Sequence, residues 1–493
     1  MTQHVEISTA QGPVTGVQSD GSSRFLGIPY AQPPVGDLRF AAPRPVAPWT
    51  EPLDATQYGP TAQRRPFMDG PTTIPEPSVP GDGTLNLNVF TPAPGAAADG
   101  TGLPVLVWIH GGGYVAGSAA SPWYDGRAFN RDGVVVVSLG YRLGIEGFLH
   151  LDDAPDNRGV LDWIAALRWV QENIAAFGGD PAKVTVAGQS AGGGAVQTLY
   201  ATPAAHGLFR SAISVSGAVM HPQGRAEALA VSERFTRRTG VPATAAALKD
   251  LPDSGILALM DALNAPEEGA AMLPALTLAP FADGELIPEQ VAGAFADGSA
   301  STAPLMLGFT HHEFNMIMLM TAPDAPAEAA QGLLLSLGYS PDQAAAYTAL
   351  HHGDSPAGIM GQALTDQLFR RTGLAIVEAR AAQGRPTWLY QFDWRSPVPR
   401  FNGQAFHCLD LPFAFDLLDA ELVDVSAGAE PPQRLADLMH GAWVSFIRDG
   451  DPSSAAGPQW PRYTTGQRAT MVWDTESAVV EDALGGEREI WQS

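Results

Sequence analysis

Lys183-Val184-Thr185-Val186-Ala187-Gly188-Gln189-Ser190-Ala191-Gly192 is the stretch that decides how this chain is read. Its first half is a short apolar run with β-branched residues, the composition of a buried strand, and residues 193–200 beyond it read as a helix start. Between them lies the only G-x-S-x-G of the sequence. A strand that turns sharply into a helix lifts a serine above the end of a sheet, and in that setting the pattern denotes a nucleophile elbow. The glycines have a steric task. At 188 and 192 a side chain would collide with neighbouring elements, and the turn puts Ser190 in a strained backbone conformation.

Outward from the elbow, residues 105–109, 134–139, 184–187 and 304–308 have the length and content of buried parallel strands, with 388–394 and 471–473 as later candidates. Residues 161–177 carry Leu161, Ile164, Leu167, Val170 and Ile174 at helical spacing. Strand, helix, strand in this order predicts a parallel α/β sheet with right-handed crossovers. The Pro-rich stretches 31–49 and 66–83 read as irregular loops, and the Ala-rich stretches 226–276 and 324–369 as helices inserted over the sheet.

Composition excludes several functions. With 45% apolar and 16% charged residues over 493 positions, the chain is neither disordered nor a coiled coil. A net charge of -24 repels phosphates, so no nucleic acid and no anionic membrane surface is expected as a partner. Cys408 is the single cysteine, which rules out an intramolecular disulfide. No basic-then-apolar leader opens the chain, and no apolar run nears the roughly 20 residues that span a bilayer. A soluble, cytoplasmic protein is expected. Its oligomeric state is left open, a monomer being compatible with the sequence.

Chemistry needs more than a serine. A hydroxyl attacks only when a base takes its proton, and the oxyanion that forms needs fixed donors. His110-Gly111-Gly112-Gly113 directly follows the strand 105–109, where a glycine loop lets backbone N–H groups face a site unobstructed. No Lys-Ser or Lys-Thr pair follows, as a phosphate-cradling loop would require.

With these residues in view, the chain resembles the type B carboxylesterases of the α/β-hydrolase superfamily, which include para-nitrobenzyl esterases, mammalian carboxylesterases and cholinesterases. Phe177-Gly178-Gly179-Asp180-Pro181 leading through Val184-Thr185-Val186 to Gly192 resembles that family's serine signature. Further matches are Phe25-Leu26-Gly27-Ile28-Pro29-Tyr30-Ala31, Leu38-Arg39-Phe40, residues 85–92, Tyr141-Arg142-Leu143-Gly144 and residues 446–452. The resemblance implies one α/β-hydrolase domain over 1–493: a large, mostly parallel central sheet flanked by helices, with helical insertions at about 220–300 and 316–385 roofing the active site. It implies a serine carboxylesterase working through an acyl-enzyme, on a small-molecule ester and without a cofactor.

The resemblance also implies a triad in the chain order Ser, Glu, His. Leu307-Gly308-Phe309-Thr310-His311-His312-Glu313 matches the acid segment, making Glu313 the acid, with Asp283 as the next candidate. His351, His352, His407 and His440 follow the acid. His407, in Phe406-His407-Cys408-Leu409-Asp410-Leu411-Pro412-Phe413, resembles the family's histidine loop, whereas the other three sit in helical stretches. By family position the oxyanion donors are the N–H groups of Gly112, Gly113 and Ala191. Ser216 resembles a buried serine behind the triad, and Arg39 with Asp82 and Arg142 with Asp162 match structural ion pairs. Met316 to Met320 and Phe309 are candidate pocket lining.

The chain departs from the family at several positions. Gln189 replaces the glutamate before the nucleophile, and residues 68–83 offer no aromatic for a quaternary ammonium, so a choline ester is not expected. Phe314 stands at a usual glycine, Gly140 at a usual asparagine, and Thr84 where many relatives carry a disulfide cysteine. Cys408 reads as a small apolar filler. The run His311-His312-Glu313 lacks metal-ligand spacing, so no metal is expected. Two other functions share parts of this pattern: a binding module on the same fold, and an amidase or carbamate hydrolase on the same machinery.

Overall fold

The computed structural model describes residues 3–66, 74–95, 101–217, 223–265, 276–401 and 403–493. Its N-terminal part is a set of antiparallel strands, Gln3–Ser8 (β1), Pro13–Ser19 (β2), Ser22–Pro29 (β3) and Asn86–Thr91 (β5), with the two-residue Leu53–Asp54 (β4) beside β2. The parallel strands follow: Leu103–Ile109 (β6), Val135–Leu139 (β7), Gly179–Gln189 (β8), Ser211–Val215 (β9), Leu305–Thr310 (β12), Thr387–Phe392 (β13) and Ala469–Trp473 (β14). Gln223–Gly224 (β10) and Phe281–Ala282 (β11) form a small separate sheet, and Ala478–Glu481 (β15) closes the large one antiparallel to β14. The order across the large sheet is β1-β2-β3-β5-β7-β6-β8-β9-β12-β13-β14-β15.

Alternation along the central strands builds two apolar layers, because successive strand residues face opposite ways. Val105, Val107 and Ile109 join one core with Val184, Val186 and Leu307, while Leu106 and Trp108 join the other with Ala187, Ile213 and Met306. The first layer is covered by the helix Arg158–Asn173 through Val160, Trp163, Ile164, Leu167 and Val170. The helix Gln433–Asp449 covers the second, where Trp443 and Phe415 lie against Trp108 with ring centroids 6.3 and 4.9 Å away. Each of these large side chains contributes about 1.5–3 kcal/mol by leaving water.

The expected strands and the helix over 161–177 are all present, the helix ending in a 3-10 turn at Ile174–Phe177. Two features differ from expectation. The N-terminal strands carry too many polar and glycine positions to show as apolar runs, and β9, Ser-Ala-Ile-Ser-Val, has its apolar residues interrupted by serines. The Ala-rich stretches are helical as predicted: Arg225–Thr239, Ala245–Leu248 and Asp253–Asn264 in the first, then Ala327–Ser336, Pro341–Leu350 and Pro356–Thr365, which runs into a π-helical turn at Asp366–Arg370. Residues 67–73, within the expected loop 66–83, and 266–275, within the expected helical stretch, lie outside the described residues. Among the described residues no helix is long and apolar enough to cross a membrane.

One expected ion pair is present and one is not. Arg142 donates from its backbone N–H, Nε and Nη2 to Asp162, and both side chains are buried. Arg39 does not meet Asp82, which is exposed; its guanidinium goes instead to Glu146 and Asp253. The helix Asp253–Asn264 presents Asp253 there, a long-range partner that local sequence does not reveal. Removing one side of a buried pair leaves a charge without water or partner. Asp162→Ala should therefore destabilise the protein by about 3–5 kcal/mol in urea unfolding. Asp253→Ala, whose carboxylate is largely in water, should stay within about 1 kcal/mol; similar losses in both would contradict this division.

Candidate active site

β6 and β8 are neighbours, with Ile109 paired to Gly188, so the segments leaving their C-terminal ends emerge side by side. Because β6 has β7 on one side and β8 on the other, this is a switch point of the sheet, where a crevice opens beyond the strand ends. From β8 the chain enters Ser190 at φ 58° and ψ -120°, then the helix Ala191–Tyr200. The Ser190 N–H donates to the Val215 carbonyl at 2.9 Å, and its own carbonyl accepts from the Gly194 N–H at 2.8 Å. A Cβ at Gly188 would lie 2.4 Å from the Gly192 carbonyl oxygen, and one at Gly192 would lie 2.0 Å from that of Ile109. The glycines of the elbow are therefore required by close backbone approach.

The loop leaving β6 packs against this serine. A Cβ on Gly111 would come within 3.1 Å of the Ser190 Cβ. Gly112 has φ 113°, and its carbonyl accepts from the Val115 and Ala116 N–H groups at 3.0 and 2.8 Å, which turns the loop back on itself. Gly113 has φ 59°. Ala191 opens its helix, so its N–H has no intrahelical acceptor.

Glu313 lies three residues past β12 and is buried. Its Oε1 accepts from the Thr310 N–H at 2.8 Å, and its Oε2 accepts from His407 Nδ1. The backbone adds a second tie, His407 N–H to the Glu313 carbonyl at 3.1 Å. The carboxylate thus fixes the proton on Nδ1 and leaves the Nε2 lone pair free to accept. That nitrogen lies 3.0 Å from the side-chain nitrogen of Gln189, the residue next to Ser190. Among the described residues none hydrogen-bonds the Ser190 hydroxyl. Phe314 and Phe369 flank the imidazole with ring centroids 5.0 and 5.1 Å away, so the family's glycine position here carries an aromatic wall. Phe369 comes from the π-helical turn, the kind of irregularity that re-aims a side chain.

Opposing effects act on His407. Burial disfavours the imidazolium, but Cys408 and then Glu313, through charge and hydrogen bonds, outweigh it and lift the ring well above its ordinary 6.5. Burial in turn raises the Cys408 thiol above its ordinary range. Burial first, and the Glu313 charge second, push Asp410 up to about 7. Tyr390 donates to its Oδ2 at 3.1 Å, while Oδ1 is buried with no partner among the described residues. Sequence reasoning passed over Asp410, although it lies three residues after His407 in the quoted loop.

The remaining candidates fall elsewhere. Asp283 accepts from Asn157 Nδ2 at 2.8 Å and from the N–H groups of Glu285 and Ile287, and is not joined to His407. His440 is buried between the Ala414 carbonyl and Asp132; His351 faces Asp354; and His352 meets the Ala349 carbonyl. Ser216 has φ 46° and a buried hydroxyl without a partner among the described residues. Of the residues expected to line a pocket, Phe309 belongs to the core, Met320 is exposed, and Leu319 lines a cavity beside His311, His312 and Asn315. His311 and His312 stack on each other at 4.3 Å, with burial holding His312 down to about 2. Among the described residues, His351, Asp366 and Glu487 have ligand atoms close enough to share an ion, but Arg370 already pairs with both carboxylates.

A base oriented by a buried carboxylate, beside a serine on a strained turn and next to a loop and a helix start with N–H groups to offer, is equipped for acyl transfer. A family model described as the carboxylesterase family matches residues 2–489. The para-nitrobenzyl esterase of Bacillus subtilis (strain 168) is 36% identical over 497 residues, covering 99% of this chain and 98% of that protein. The phenmedipham hydrolase of Pseudarthrobacter oxydans is 35% identical over 96% of this chain and 95% of its own. Among solved structures, a PNB esterase aligns with TM-score 0.86 at 34% identity over 99% of each chain. A Geobacillus stearothermophilus carboxylesterase aligns with TM-score 0.85 at 35% identity, over 99% of this chain and all of its own. With sequence and architecture matched from end to end, the chain belongs to the type B carboxylesterase family and is a carboxylic ester hydrolase with the α/β-hydrolase fold.

Proposed function

We propose that the protein hydrolyses small-molecule esters through an acyl-enzyme on Ser190, with His407 as base, Glu313 as its orienting acid, and the N–H groups of Gly112, Gly113 and Ala191 as the oxyanion hole. The observation that carries this reading is the imidazole of His407, bonded through Nδ1 to buried Glu313 and turned so that Nε2 reaches the residue beside Ser190. In the reaction the Ser190 oxygen bonds to the ester carbonyl carbon as its proton passes to Nε2. The carbonyl electrons move onto the oxygen and are held by the three N–H groups. Collapse expels the alcohol, which takes the proton from the imidazolium. A water then attacks the acyl carbon, gives its proton to Nε2, and the acid leaves as Ser190 regains its hydrogen.

The reading extends to the rest of the chain as one catalytic domain, 1–493, with its helical insertions roofing the crevice. The uncharged Gln189 at the elbow supports esters of neutral alcohols over choline esters. A single cysteine suits a reducing, cytoplasmic setting.

Ser190→Ala should lower hydrolysis of a short-chain p-nitrophenyl ester by a factor on the order of 10⁶, the scale of losing a triad nucleophile. Activity within about tenfold of the parent in a correctly folded variant would overturn the assignment. The pH dependence follows from the sign of the shift at His407. The base works only when neutral, and its neighbours raise the value at which it protonates, so activity should already fall on acidification through a point above 6.5. A kcat/KM profile whose acid limb is centred below about 6 would contradict the role given to Glu313.

A further inference from the structure

A neutral imidazole with its proton on Nδ1 has a single lone pair on Nε2, which accepts one hydrogen bond. Two donors stand on consecutive residues beside it. Gln189 holds it, nitrogen to nitrogen at 3.0 Å, and the Ser190 hydroxyl does not. Gln189 is buried, its backbone pairs with Val215 on β9, and its amide oxygen faces the Gly111 backbone, where a Cβ would come within 2.8 Å of it. It lies between the glycine loop and the imidazole.

We propose that Gln189 is a positioning residue of the esterase reaction, whose carboxamide holds the base nitrogen of His407 in the resting enzyme and yields it to Ser190 when an ester enters. The proposal rests on the esterase reading given above. A carboxamide suits this task in a way that a carboxylate would not. Its N–H groups donate to neutral Nε2, and half a turn of the amide offers its oxygen to the Nε2–H of the imidazolium, so one side chain serves both protonation states. A glutamate could accept only from the protonated ring, and would raise the point at which the ring protonates.

The groups facing His407 make this measurable. Glu313 is at Nδ1; Cys408 and Asp410 lie on its own loop; Phe314 and Phe369 cover it without charge; and Gln189 is neutral. A donor to the neutral ring lowers the point at which the ring protonates, and a carboxylate in its place raises it. With the full chain, kcat/KM for a neutral p-nitrophenyl ester is measured against pH for the parent, Gln189→Glu and Gln189→Met, with Ser190→Ala alongside. Gln189→Glu should move the acid limb up by about one pH unit or more. Gln189→Met, similar in length but without a donor, should move it up by roughly half a unit. A merely structural role would change the plateau but not the limb. A limb in either folded variant that coincides with the parent's overturns the proposal, and if Gln189→Glu fails to fold, Gln189→Met decides it. With Ser190→Ala inactive, such a result removes the role of Gln189 alone; with Ser190→Ala active, the esterase reading and this proposal fall together.

Discussion

The hydrogen bond from His407 Nδ1 to the buried Glu313 carboxylate is the interaction on which the site depends. It selects the tautomer that leaves Nε2 able to accept a proton, and it does so across 94 residues of chain, joining the loop after β12 to the loop after β13. A carboxylate this deep is tolerable only because both its oxygens are occupied, one by the Thr310 N–H and one by the imidazole. The charge costs desolvation, and the imidazolium formed in each half of the proposed reaction is where that cost returns as stabilisation.

Beside this pair the structure holds a second acid whose charged form is disfavoured. Asp410 is lifted to about 7 by burial and by Glu313. Two carboxylates this close repel each other when both are charged, and that repulsion, with burial, favours the neutral form of Asp410. The aromatic rings of Phe314 and Phe369 keep water from the imidazole faces.

How much of this was legible follows from the range of each interaction. The elbow was readable because its determinants are contiguous: an apolar strand, two glycines that backbone contacts demand, a serine and a helix start. Glu313 and His407 were readable through the resemblance their segments carry, and the structure joins them. The partners of Arg39 were not, since Glu146 and Asp253 come from segments that only the fold brings together. The contact between Gln189 and His407 is of the same kind. Its two residues are 218 positions apart, and the sequence reading saw at Gln189 only a missing charge. β1 escaped notice because a solvated edge strand needs few apolar residues.

The strained serine explains why the site sits at the centre of the sheet and not at an edge. A non-glycine residue at φ 58° and ψ -120° costs about 1–3 kcal/mol, and it persists only where its surroundings over-determine it. Here Val215 on β9 fixes its N–H, Gly194 in the following helix fixes its carbonyl, and Ile109 on β6 leaves no room for a side chain at Gly192. An edge strand would lack one of these neighbours. The same crowding puts the Gly111 backbone against the Ser190 Cβ, so the constraint that strains Ser190 also brings the glycine loop to its side.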